Sequence, residues 1–121
     1  MLSLGKNKRL KSKKDIELLL TTGKKLKEGA VVMIYESSKD EQTKMAVSVQ
    51  KKSFKKAVDR NRIKRLMREA FRLNQELFGS KNQFHIFFIY VGKEIETFDY
   101  YNQKIKQLLI RLSNNTTHDE Q

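Results

Sequence analysis

The residues able to do chemistry concentrate between Lys51 and Arg72, in the run KKSFKKAVDRNRIKRLMREAFR. Ten of these 22 residues are cationic (Lys51, Lys52, Lys55, Lys56, Arg60, Arg62, Lys64, Arg65, Arg68 and Arg72) and only Asp59 and Glu69 are acidic, which leaves +8 of the chain's net +12 in this stretch. The chemistry such a run offers is the binding of phosphates. On a helix turning about 100° per residue, Ile63, Leu66, Met67, Ala70, Phe71, Leu77 and Phe78 gather on one side as a stripe for burial. Asn61, Lys64, Arg65, Arg68 and Arg72 fall opposite, with Arg60 and Arg62 at the edges of that sector. A merely solvated face mixes signs and sets Glu against Lys at i,i+4. Here Lys64 and Arg68 repel at that spacing, as do Arg68 and Arg72, and only Glu69 lies within reach of Arg65 and Arg72. Each repulsion costs a few tenths of a kcal/mol, and an external polyanion offsets it. Several phosphate contacts would give steeply salt-dependent binding of a nucleic acid backbone. The expected contacts are Lys51, Lys52, Lys56, Arg60, Asn61, Arg62, Lys64, Arg65, Arg68 and Arg72.

Groups for bond-breaking chemistry are sparse. The chain has two histidines and no cysteine, and it lacks HExxH, GxSxG and any glycine-rich phosphate loop. Acids beyond Lys51 are scattered, without the spacing of a two-metal nuclease centre. His85 sits alone in a strand pattern and reads as a packing residue. No catalytic residue and no protein metal site is assigned, and a protein-only nuclease is disfavoured.

The elements that position the basic run follow from composition and periodicity. At 121 residues the chain is long enough for one two-layer domain, residues 1–121. With 38% apolar and 33% charged residues, it should fold rather than stay disordered. A sequence pI near 10 calls for a polyanionic partner. No stretch has the length of a membrane span or a secretion signal, and the absence of cysteine fits a reducing cytoplasm, so a cytoplasmic protein with no membrane partner and no small-molecule substrate is expected. Residues 1–72 carry net +13 and residues 73–121 net −1, so one half meets the partner while the other builds the fold.

Residues 1–11 read as a basic arm. Ser12 with Asp15 resembles a capping box for a short helix bearing Ile16, Leu19 and Leu20, stopped at Gly23. Lys24, Lys25 and Lys27 around Leu26 suggest a brief strand. Residues 30–36 form a strand and Lys44 to Gln50 its returning partner in a hairpin, with Met45, Val47 and Val49 facing the core. Ala46, Ser48 and Gln50 face the other way, as a solvated face or as the floor of a groove. Gly79 and Asn82 break the chain after the basic helix. Residues 84–91 are apolar at both parities and predict a central strand. Thr97 caps a last helix with Tyr101, Ile105, Leu108, Leu109 and Leu112 on one face, and residues 113–121 form a flexible tail.

The run Lys51–Lys52, Ala57–Val58, Arg60–Asn61–Arg62, Lys64–Arg65 and Arg68–Glu69–Ala70–Phe71–Arg72, together with the preceding Arg9–Leu10, resembles the signature of the bacterial ribonuclease P protein subunit over residues 6 to about 112. The resemblance implies an α+β two-layer sandwich of order α-β-β-β-α-β-α, with the basic helix in a left-handed βαβ crossover. It implies a subunit of the ribonucleoprotein that removes the 5′ leader from precursor tRNA. Its partners would be the ribonuclease P RNA subunit, which carries the active site and Mg2+, and precursor tRNA. It further implies a leader cleft at Ile16, Leu20, Ile34, Ser48 and Gln50. The family usually has Phe at two first-helix positions and an aromatic in the second strand, where this chain has Ile16, Leu20 and Ile34, and Gln50 replaces the usual Ser. Leader contact should therefore lean on apolar packing and charge more than on stacking, which is worth roughly 1–3 kcal/mol per base. A small basic ribosomal or RNA-chaperone protein without a role in tRNA processing is the alternative that size and charge alone would permit.

Overall fold

Apolar side chains at both parities from Phe84 to Tyr90 need cover on two sides, and the fold supplies it by packing helices on both faces of the sheet around that strand. The computed structural model describes residues 9–39, 42–78 and 83–119. In chain order these form α1 (Lys13–Thr22), β1 (Lys24–Glu28), β2 (Val31–Ser38), β3 (Lys44–Val49), α2 (Ala57–Asn74), a 3-10 turn (Gln75–Phe78), β4 (Gln83–Tyr90) and α3 (Phe98–Asp119). This is the expected α+β order. The sheet runs β1-β2-β4-β3, with β4 antiparallel to β2 and parallel to β3, so that α2 is the crossover between two parallel neighbours.

That strand order corrects the hairpin expected between β2 and β3. β2 pairs with β1 instead, around a tight turn in which Gly29 takes a left-handed φ of 56°. A Cβ at Gly29 would also lie 2.7 Å from the Tyr100 hydroxyl. β4 inserts between β2 and β3, where both of its edges are hydrogen-bonded, with α2 and α3 covering one apolar face and α1 part of the other. Thr43 fixes the inserted strand: its hydroxyl, in a buried residue, accepts from the Phe84 amide at 3.1 Å and donates to Gln83 Oε1 at 3.3 Å.

Register then sorts the side chains. Met33, Val47 and Phe88 share one face, as do Met45 and Ile86, and this face packs against α2 and α3. Ile63, Met67, Ala70 and Phe71 of α2 are buried there, with Phe71 edge-on to Phe88 at 6.0 Å between centroids. Tyr101, Ile105, Leu108, Leu109 and Leu112 of α3 are fully buried, as their spacing predicts. Leu77 departs from the expected stripe. Helical geometry gives way to the 3-10 turn after Asn74, and Leu77 is left exposed.

The second face carries a smaller cluster of Leu10, Leu19 and Ile34, covered by α1. The Ser12 hydroxyl caps α1 by accepting from the Asp15 amide at 3.2 Å, as read from the sequence. Gly23 ends α1 with extended backbone rather than a left-handed turn; its lack of a side chain matters because a Cβ would meet Leu19 O at 2.6 Å and Ile34 Cγ2 at 2.8 Å.

Residues 1–8 of the expected arm lie outside the described residues, but its end is pinned. Arg9 bridges Met45 in parallel and the Leu10 amide donates to Met45 O at 2.8 Å, adding a short strip beyond the β3 edge. α3 runs to Asp119, so residues 113–119, expected as tail, are described as helix, while 120–121, like Gly79 and Asn82, lie outside the described residues. The apolar spacing stops at Leu112, but adding a residue to an existing helix costs far less than nucleating one. Among the described residues no helix is long and apolar enough to cross a membrane.

Candidate nucleic-acid interface

The approach to α2 is shaped by one buried ring. After β3 the chain turns at Gln50, whose carbonyl accepts from the amides of Ser53 and Phe54 at 3.3 Å each. Phe54 is buried against Tyr90, with ring centroids 6.0 Å apart. This anchor leaves Lys51, Lys52, Lys55 and Lys56 exposed around the start of α2. Lys56 occupies the N-cap without a side-chain cap hydrogen bond, so a cationic residue stands where an acceptor would normally sit. Arg60 braces the corner from inside the helix: its Nη1 donates to the carbonyls of Phe54 at 2.7 Å and Lys55 at 3.0 Å.

Along α2 the two faces separate as predicted. Asn61, Arg62 and Arg65 are exposed, and Lys64, Arg68 and Arg72 are half-buried. The cations are not equivalent. Arg72 donates through Nε to Glu69 Oε2 at 3.0 Å and through Nη2 to Glu69 Oε1. That fork holds the Glu69 carboxyl below the usual range and raises Arg72 above its own. Both Arg65 and Arg72 lie at a spacing Glu69 can reach, and it takes Arg72. Among the described residues Arg65 then has no carboxylate partner.

Arg68 is placed differently. Burial, and next the charge of Arg9, pull its guanidinium below the usual arginine range. Bridged residues on neighbouring strands share a face, so Arg9 points with Met45 toward the α2 side, while Leu10 points into the α1 cluster. The two guanidiniums thus lie on the same side of the sheet, near enough for one charge to act on the other, an arrangement suited to binding phosphate. Arg9 is the cation that periodicity missed, since the unpatterned arm gave no hint of its pairing with β3.

The second sheet face holds the candidate cleft. Ala46, Phe87 and Ile34 form one row across β3, β4 and β2, and Ser48, Ile89 and Val32 form the next. Ile34 does not line an open cleft as expected: Leu19 and Leu10 close over it and leave it 4% exposed. Ile16 is half-buried against the same cluster, whereas Leu20 is 47% exposed. Ser48 and Gln50 are both partly exposed. An aromatic is present after all, because Phe87, partly exposed, stands in the floor beside Ala46. The parity of β4 placed it there, but with both parities apolar the sequence did not say which face stays open. Among the described residues no three His, Asp or Glu side chains are grouped to hold a metal ion.

These features meet known proteins at several points. A family model described as Ribonuclease P matches residues 4–113. The ribonuclease P protein component of Porphyromonas gingivalis is 33% identical over 120 residues, covering 93% of this chain and 88% of that protein. The match to the component from Nitrosococcus oceani is 35% identical over 68 residues, 56% of this chain and 57% of that one. The solved RNase P protein from Thermotoga maritima superposes with a TM-score of 0.74 at 29% identity, covering 85% of this chain and 96% of that one. The Staphylococcus aureus RNase P protein shares the fold, with a TM-score of 0.73 at 23% identity over 84% of this chain and 92% of that one.

Proposed function

The chain belongs to the ribonuclease P protein family, and from that premise we propose that it works as the RNA-binding subunit of a ribonucleoprotein whose RNA partner does the cutting. Removal of the 5′ leader from precursor tRNA is the family's role. On this reading the RNA subunit and the substrate would hold the Mg2+ ions that supply the hydrolytic chemistry, and the protein supplies cations and a groove. The outer face of α2, with Asn61, Arg62, Lys64, Arg65 and Arg68, lies against the RNA subunit. Lys51, Lys52 and Lys56 extend that contact around the β3–α2 corner. Arg60 positions the corner, and Arg72, held by Glu69, adds less. The leader runs over Ser48 and Gln50 beside Ile16 and Leu20, and Phe87 provides the stacking surface that α1 and β2 lack. Arg9 joins Arg68 on a shared phosphate.

The observation that carries this reading is the strongly cationic outer face of α2, broken only by Glu69, and the exposed lysines at the β3–α2 corner beside it. It is tested by reconstitution of the protein with the RNA subunit and a precursor tRNA, scoring 5′ maturation as magnesium is lowered. The protein is expected to lower the magnesium requirement, because its cations replace diffuse ions around the phosphates. Clean 5′ cleavage by the RNA-free protein, or an unchanged magnesium requirement, would overturn it.

A further inference from the structure

The sheet register carries the basic surface to a place that the α2 signature does not reach. Lys25 of β1 pairs with Ile34 and Lys27 pairs with Val32, so both lysines share the second face of the sheet with the candidate cleft. Leu26, between them, packs into the opposite core. Both lysines are exposed, and among the described residues neither ammonium has an ion pair. The row through Lys27 continues across β2, β4 and β3 as Val32, Ile89 and Ser48. Ser48 lies at the end of β3 that leads to Lys51 and Lys52. The apolar strip, only partly covered, spans about 14 Å from Lys27 to Ser48 by three inter-strand spacings of ~4.8 Å, with lysines at β1 on one side and at the β3–α2 corner beyond the other.

We propose that Lys25 and Lys27 hold backbone phosphates of the single-stranded leader at the far end of the cleft, so that the leader crosses the sheet from the β3–α2 corner to β1. The bases lie on the apolar strip, and the phosphates reach a cation at each end. A leader of one or two nucleotides cannot span the strip, whereas a leader several nucleotides longer can. Affinity should then grow with leader length up to the point where β1 is reached. This proposal rests on the cleft reading given above.

The test uses the assembled enzyme with precursor tRNAs of graded leader length, and mature tRNA as reference. In the wild-type enzyme, affinity should rise with leader length. In the Lys25→Ala/Lys27→Ala protein the long-to-short affinity ratio should fall several-fold. The salt slope of that ratio should flatten by about 0.7 for each phosphate no longer neutralised. Lys27→Arg in place of Lys27→Ala should restore part of the ratio, and Lys27→Glu should lower it further. Melting temperatures confirm that each variant is folded. A wild-type length dependence that survives intact in the double variant overturns the proposal and leaves the cleft reading standing; the two lysines would then serve only to keep the exposed β1 edge from pairing with other strands. No length dependence in the wild-type enzyme overturns the cleft reading, and the proposal with it.

Discussion

At the scale of single residues, α2 separates side chains that hold the fold from side chains that hold a partner. Phe71 is 1% exposed and packs on Phe88, so Phe71→Ala should cost about 3–5 kcal/mol of stability. Arg65→Ala opens no cavity and removes a like charge, so it should leave the melting temperature nearly unchanged while weakening binding to the RNA subunit and flattening its salt dependence. Arg72→Ala should change that slope less, since Glu69 already engages it. Salt titrations of the three variants decide the ranking, and equal slopes for Arg65→Ala and Arg72→Ala would contradict it. The Glu69–Arg72 fork also has a pH signature. Because the Glu69 carboxyl is held below its ordinary range, its contribution is present above the unfolded carboxyl value near 4.3 and is lost as pH falls further. The helical repeat alone revealed the two faces of α2. It could not reveal which cation Glu69 would take, because Arg65 and Arg72 are both within one turn.

At the scale of elements, α1 and the β4–α3 junction make separate predictions. Ile16 and Leu20 sit one turn apart, yet only Leu20 is open. Leu20→Phe should be tolerated and should keep or tighten leader binding, whereas Ile16→Phe should overpack the small cluster and cost typically 1–3 kcal/mol. Melting temperatures and precursor-to-mature affinity ratios measured together distinguish the two outcomes. At the junction, the Tyr90 hydroxyl donates to Glu94 O at 2.5 Å, and the Tyr101 hydroxyl accepts from the Glu96 amide at 3.1 Å. Burial pushes both phenols above the ordinary tyrosine range. A raised folded-state value favours the protonated form in the fold, so this stabilisation is complete below the unfolded value near 10 and declines as pH rises beyond it. Tyr90→Phe should cost about 0.5–1.5 kcal/mol at neutral pH and flatten the alkaline decline, read by urea unfolding at both pH values. The existence and type of these elements were legible from periodicity, the Ser12 and Thr97 caps included. The sheet order was not. Adjacency in the chain favours a β2–β3 hairpin, but β4, which lies more than thirty residues further on, pairs with both strands and separates them.

For the whole molecule, the strand order decides where the charge goes. β3 lies at the sheet edge, so α2 on one face and the cleft on the other meet around it, and Arg9 with Leu10 adds to the same edge. Residues 1–72, which carry net +13, thus supply both edge strands and most of α2, while residues 73–121, at net −1, supply β4 and α3. The charge lopsidedness was legible in the sequence; the gathering of its densest part, α2 with the lysine corner and Arg9, around the β3 edge was not, because it depends on a long-range pairing that no local pattern encodes. α3 supplies the test. Its inner side fills the core, and Lys106 on its outer side is exposed. If binding is confined to the β3 edge and the faces that meet there, Lys106→Glu should leave both affinity for the RNA subunit and its salt slope within error of the wild type. Lys52→Glu, the same change in charge at an equally exposed lysine of the corner, should weaken binding at least several-fold and flatten the slope by about one to two phosphate contacts. Equal losses from the two reversals would mean that affinity follows the net charge of the chain rather than its placement. A non-specific RNA-coating protein would behave in that way, and a subunit with one oriented RNA contact would not.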